Sequence, residues 1–143
     1  MHVKQTQTAS MRQFVVVLGT DEEAGACLLD VARAHSIVGA EFAGLGALWD
    51  VTLGFFDTTR EDYDRIHLDE QVEVVSLVGN FATEDGAARL HPHVVVSRRD
   101  GTAWGGHLLE AHVRPTLEVI VTELPEELQR RADPETGLPL LSI

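Results

Sequence analysis

An α+β fold, with a mostly antiparallel sheet of about seven strands and one main helix, is predicted by three observations. One amphipathic helical stretch lies near the N-terminus, and nothing with a comparable period follows it. Short runs rich in β-branched and aromatic residues then recur, separated by Gly, Asp, Thr and Pro. Between two of these runs stands Arg99-Asp100-Gly101, a hairpin turn, which makes its flanking strands antiparallel.

The elements follow in order. Residues 14–18, FVVVL, read as a buried strand stopped by Gly19. Thr20-Asp21-Glu22-Glu23 has the spacing of a capping box, so a helix is expected from there to about residue 34 or 35. Cys27, Leu28, Val31 and Ala32 form its apolar stripe, and Cys27 reads as a small core residue, inert as a nucleophile. Strands are then expected over 38–48, 51–56 and 63–68, over 72–81 with both faces buried, and over 90–97, 102–113 and 117–124. Pro125 ends the last of them, and 126–132 reads as a short helix.

Composition narrows the function. In 143 residues, 11 Lys and Arg stand against 23 Asp and Glu, a net charge of −12. Affinity for nucleic-acid phosphates comes largely from cations displacing counterions, so this balance argues against a nucleic-acid surface and equally against anionic membrane. No apolar run approaches the roughly 18 residues that cross a bilayer. The opening MHVKQTQTAS has no signal-like apolar core, and one cysteine fits a reducing compartment, so a cytoplasmic location is expected.

Three of the seven histidines have informative spacing: His91 and His93 in LHPHV, and His107 in GGHLL. Residues two apart on a strand share a face, so His91 and His93 lie side by side. A two-residue turn would set His107 opposite Val94, on the wrong face. A three-residue loop, 99–101, pairs Arg98 with Thr102, and Gly101 suits the left-handed conformation of its third position. His93 and His107 are then direct cross-strand partners, with His91 diagonal to His107. Three imidazoles without a thiolate suit zinc first, then iron, nickel or copper, and three protein ligands leave one position open, as in catalytic sites. A bulge at Gly105-Gly106 would change this parity. Spacing alone is equally compatible with a surface cluster or with hydrogen-bonded core histidines.

The stretches GLGALWDVTLGFFD, VEVVSLVGNFA, LHPHVVVSRRDGTAWGGHLLEA and TLEVIVTEL resemble the plant-and-prokaryote-conserved (PPC) domain, also called the PD1-like DNA-binding domain. The likeness runs from about residue 14 to 124. It implies an acetolactate-decarboxylase-like fold assembled as a homotrimer, with a small-molecule ligand at a subunit boundary. In the wider fold group that acetolactate decarboxylase represents, an H-x-H pair and a later histidine bind zinc, which points to His91, His93 and His107 as ligands of Zn2+. On this reading residues 1–12 are a flexible N-terminal segment, 13–125 the PPC domain, and 126–143 a C-terminal tail.

The family's other name implies DNA binding and transcription. In plant proteins similar to this domain a G-R-G-R-P hook contacts the minor groove. No such segment occurs here, and the dibasic pairs Arg98-Arg99 and Arg130-Arg131 stand beside acidic residues. Glu118, inside the apolar run TLEVIV, is a candidate acid/base or metal-supporting group; its alternative is a solvent-facing strand-edge glutamate or a partner of Arg114. Gly44-Leu45-Gly46 reads as a bend or a close-packing contact, and Gly79-Asn80 as a turn or a polar contribution to a pocket. His2, His35, His67 and His112 read as surface or interface residues, and His112 falls on the face opposite His107 if the strand is regular. Glu61, Asp62 and Asp64 beside Arg60 and Arg65 read as a solvated loop.

Overall fold

A computed structural model describes residues 1–8 and 11–142 of the chain. Nine strands and one helix occur among them: β1 (His2–Thr8), β2 (Met11–Gly19), α1 (Ala24–Ala34), β3 (Ala40–Asp57), β4 (Asp62–Leu68), β5 (Val72–Glu84), β6 (Ala87–Ser97), β7 (Ala103–Glu123), β8 (Gln129–Ala132) and β9 (Pro139–Ser142). All pairings are antiparallel except a single parallel one between β5 and β8. The fold is therefore α+β with an antiparallel-dominated sheet.

Two long strands organise it. β3 and β7 run beside each other for most of their length, and β5 and β6 complete a closed circuit of pairings, β3–β5–β6–β7–β3. The runs 38–48 and 51–56 are thus one strand, as are 102–113 and 117–124. Pro115 does not break β7, because the ladder to β3 skips from Val113↔Leu48 to Leu117↔Gly46 and needs no amide donor at that point. Gly46 makes that crossing possible, since a Cβ there would collide with the Thr116 carbonyl. The glycines of 44–46 are accordingly a bend in β3.

Helix α1 lays Ala24, Leu28, Val31 and Ala32 on a core that includes Phe14, Phe81, Leu48, Leu53 and Leu117. It begins later than the capping-box spacing predicts. Asp21 takes a left-handed φ of 67°, and Glu22 turns back to accept from the Gly19 amide at 2.8 Å. Glu23 is the cap, accepting from the Gly25 and Ala26 amides at 3.0 and 2.5 Å. Cys27 packs half-buried against the core, and burial raises its thiol pKa, so it stays protonated and unreactive.

Both ends of the chain depart from the expectation. Where a flexible segment was expected, β1 pairs with β2 from His2↔Val17 to Thr8↔Met11, and the N-terminal ammonium pairs with Glu22. Backbone pairing holds this strand, so side-chain periodicity gave no sign of it. Residues 9 and 10 of that segment, and 143 of the tail, lie outside the described residues. At the other end 126–132 forms no helix. Seven residues are too few to sustain one without packing, and the backbone is claimed elsewhere: Leu128 donates to Val38 O at 3.1 Å and accepts from Thr83 N at 2.8 Å. β8 and β9 then make a hairpin, turned by Asp133, whose carboxylate accepts from Thr136 N, and by Gly137 at φ 70°.

Candidate metal centre

The β6–β7 hairpin has the three-residue loop. Arg98 N donates to Thr102 O and Gly101 N to Arg98 O, both at 2.9 Å, with Gly101 at φ 83°. His93 consequently faces His107 directly. No bulge falls at Gly105-Gly106 on the β6 side, where Val94 faces Gly106 and Val95 faces Gly105. Side chains of His91, His93 and His107 come together, with ring centroids 5.0, 5.3 and 5.4 Å apart pairwise. One nitrogen from each ring lies within 4.8 Å of the other two. The Nε2 atoms of His91 and His93 are 3.2 Å apart.

Glycines supply the room. A Cβ on Gly106 would sit 2.7 Å from the Gly54 carbonyl, so its absence lets β3 pair with β7 beside His107. A Cβ on Gly79 would collide with the His91 carbonyl and the Phe42 ring. Gly79-Asn80 is therefore no turn. It lies within β5, where Gly79 admits the backbone of β6 and Asn80 pairs with His91.

Desolvation dominates the electrostatics. His107 is held down to about 4, first by burial and then by the neighbouring His91, His93 and Arg130. His91 is lowered by burial, then by Arg130 and His93. Both rings are neutral near pH 7 and offer lone pairs to a cation. His107 Nδ1 is buried with no hydrogen-bond partner, an orphaned polar atom of the kind a ligand or ion satisfies. The donor set fits a metal ion: three imidazoles on two paired strands, with room for a further ligand.

Beside the rings lies a cavity of about 390 Å3, walled by Tyr63, Leu90, Leu138 and Leu140, with Arg89, Glu84 and Arg130 at its edge. Tyr63 of β4 stacks on His107 at 5.1 Å between centroids. Arg130 of β8 donates to Asn80 Oδ1 at 2.6 Å and to the Pro139 carbonyl at 2.9 Å, and its Nη2 is 3.3 Å from His91 Nδ1. The sequence reading missed Arg130, because it placed 126–132 on a helix. The available signal was Asp133-Pro134 and Gly137 between QRRA and LPLL, a hairpin pattern.

Other candidates sit elsewhere. Glu118 is on β7 eleven residues beyond His107, at most about 36 Å along an extended strand, exposed among Val15, Leu45, Val78 and Ile120. A role for it as acid, base or metal support gains nothing from its place in this chain. His67 Nδ1 is 3.0 Å from Thr52 Oγ1, and His35 stacks on Phe14. Arg60 pairs with Asp57 at 2.9 Å and with Asp64, so the acidic loop is a local charge network.

His112 corrects the parity expectation. The ladder pairs Leu53 with Leu108 but Thr52 with Glu110, so Leu109 is an extra residue. Gly54 and Asp50 share a face of β3, hence their partners His107 and His112 share one too. His112 Nδ1–H donates to Asp50 at 3.0 Å, which raises the imidazole pKa. A raised folded-state value contributes stability below the unfolded value, about 6.5, and loses it as pH climbs through the folded one. Between about pH 6 and pH 8 the urea midpoint of the protein is therefore expected to fall more steeply than that of His112→Gln. Parallel midpoint-versus-pH curves would contradict this.

Comparison with known proteins bears on the fold and the family. A structure of a protein from Bacteroides thetaiotaomicron, provisionally named as DNA-binding, superposes with a TM-score of 0.90 at 27% identity, covering 98% of this chain and 96% of that one. A metal-containing protein from Archaeoglobus fulgidus gives 0.86 at 27%, covering 99% and 97%. Acetolactate decarboxylase from Bacillus subtilis, at 0.56 and 10% identity over 77% of this chain and 51% of that one, shares the fold alone. Among curated proteins, "Bifunctional protein GlmU" of Synechococcus sp. (strain JA-3-3Ab) is 31% identical over 139 residues, 95% of this chain; the chain spans only 21% of that protein's length. Residues 5–125 match the Plants and Prokaryotes Conserved (PCC) domain, and the chain belongs to that family.

Proposed function

We propose that this PCC-domain protein binds a metal ion, zinc, through His91, His93 and His107, and works as a trimeric small-molecule-binding module or metal-dependent enzyme. The observation that carries this is the convergence of three ring nitrogens within 4.8 Å. A bound zinc ion would supply Lewis acidity at its open position. The chain's own residues do the rest: Tyr63 stacks on His107, and Arg130 places a positive charge beside His91. Metal analysis of the purified protein and of the triple alanine variant is the test. The names of the structural relatives favour a DNA-binding reading, and the net charge of −12 opposes it.

Assembly is supported by the outer face of the sheet. The run 72–81 reads in sequence as buried on both faces, yet Val75 and Val78 are 54% and 47% exposed, beside Leu45 at 64% and Ile120 at 54%. An apolar patch of this kind on a lone chain marks a contact surface, and the family resemblance implies a homotrimer. Light scattering is expected to give a trimer mass for the protein and a monomer mass for Ile120→Lys with Leu45→Asp. Equal masses would refute this face as the contact. No helix among the described residues is long and apolar enough to cross a membrane; the location proposed is cytoplasmic.

A further inference from the structure

The cavity beside the imidazoles holds one charge that the protein leaves uncompensated. Arg130 is only 8% exposed, and it makes no ion pair among the described residues. The acceptors it donates to are neutral, Asn80 Oδ1 and the Pro139 carbonyl, and its Nη2 lies 3.3 Å from His91 Nδ1. A guanidinium carries five N–H donors and stays charged. Its Nε–H has no acceptor among the described residues and is not sealed from solvent. A buried cation without a counter-ion is costly, and an anion entering the cavity would remove that cost.

Charge and shape narrow the anion. The other ions at the cavity cancel, because Arg89 Nε donates to Glu84 at 2.6 Å. In the metal-free protein one unbalanced positive charge therefore faces a wall of Leu90, Leu138 and Leu140. A phosphate dianion would bring two charges to one cation and lie near Glu84. A carboxylate brings one, on two coplanar oxygens that suit the guanidinium fork, and the leucines suit a short hydrocarbon body.

We propose that this cavity binds a small monocarboxylate, held at its carboxylate by Arg130 and at its apolar body by Leu90, Leu138 and Leu140. This deepens the metal-site reading by naming the ligand class, and rests on it only for the neighbouring ion. Recognition then belongs to the β8–β9 hairpin, outside the residues 5–125 that match the family.

The test uses isobutyrate, its neutral isostere isobutyramide, and inorganic phosphate, on metal-free and zinc-loaded protein, read by calorimetry and by the Arg130 Nε–H resonance. Isobutyrate is expected to move that resonance in both forms and to bind at least about tenfold more tightly than isobutyramide. Arg130→Gln is expected to abolish the difference. Equal binding of isobutyrate and isobutyramide, tighter binding of phosphate than of isobutyrate to the metal-free protein, or an unmoved resonance would each overturn the proposal. If Arg130→Gln does not fold, the resonance and the isostere comparison in the unmodified protein decide. Zinc uptake without carboxylate binding sinks this proposal alone, whereas carboxylate binding without zinc uptake sinks the metal reading alone.

Discussion

With His91, His93 and His107 all replaced by alanine, the protein is expected to fold and to carry essentially no zinc, against about one ion per chain before substitution. The chelate comes from two strands whose pairing does not depend on the imidazoles, since the Val94↔Gly106 to Ser97↔Ala103 ladder and the buried Val94 and Val96 remain. Each single alanine variant removes one of three ligands, and should weaken zinc by more than the roughly 10–100-fold that loss of an outer hydrogen-bond partner costs. Stability gives an independent measure. Zinc at 100 times its Kd should add about 2.7 kcal/mol to the unfolding free energy of the protein and nothing to the triple variant. Elemental analysis and urea titration with and without zinc check both. Equal metal content in protein and triple variant would sink the metal centre.

Alanine at Gly79 is expected to be the most damaging of the conservative changes near the site. Its methyl group would meet the His91 carbonyl, which is backbone, and the Phe42 ring, which is 3% exposed and packed on Phe81 at 5.2 Å between centroids. Neither neighbour can rotate away, so β5 and β6 must separate locally. We expect a loss of about 3 kcal/mol, at the upper end for overpacking, together with weaker zinc binding, because the carbonyl that moves belongs to a ligand residue. A urea midpoint and zinc affinity both unchanged in Gly79→Ala would contradict the close approach of the two strands.

Legibility in the sequence divided along physical lines. The antiparallel fold and the hairpin register were readable because each is set locally, the register by a loop whose third residue must adopt positive φ and is Gly101. From that register followed the meeting of His93 and His107. The relation of His107 to His112 was not readable, since one extra residue, Leu109, inverts the alternation and is seen only through its partners on β3. Arg130 escaped for a related reason: the segment carrying it is held by Val38 and Thr83, far away in sequence. Residues 72–81 were read as buried on both faces, whereas the chain buries one face and leaves Val75 and Val78 exposed. Glu118 shares that outer face and is exposed, in line with the solvent-facing alternative the sequence offered.

The 99–101 loop touches neither the imidazoles nor the cavity beside them, yet its length is part of what assembles the three histidines. Side-chain alternation has period two, so gaining or losing a single residue there would turn His107 away from His93 and toward the core. Composition at Arg99 and Asp100 is free to drift while the count is not. Among relatives of this chain that keep the three histidines, this hairpin should tolerate substitution and reject single-residue insertions and deletions, a constraint on gaps imposed from the far end of the strands.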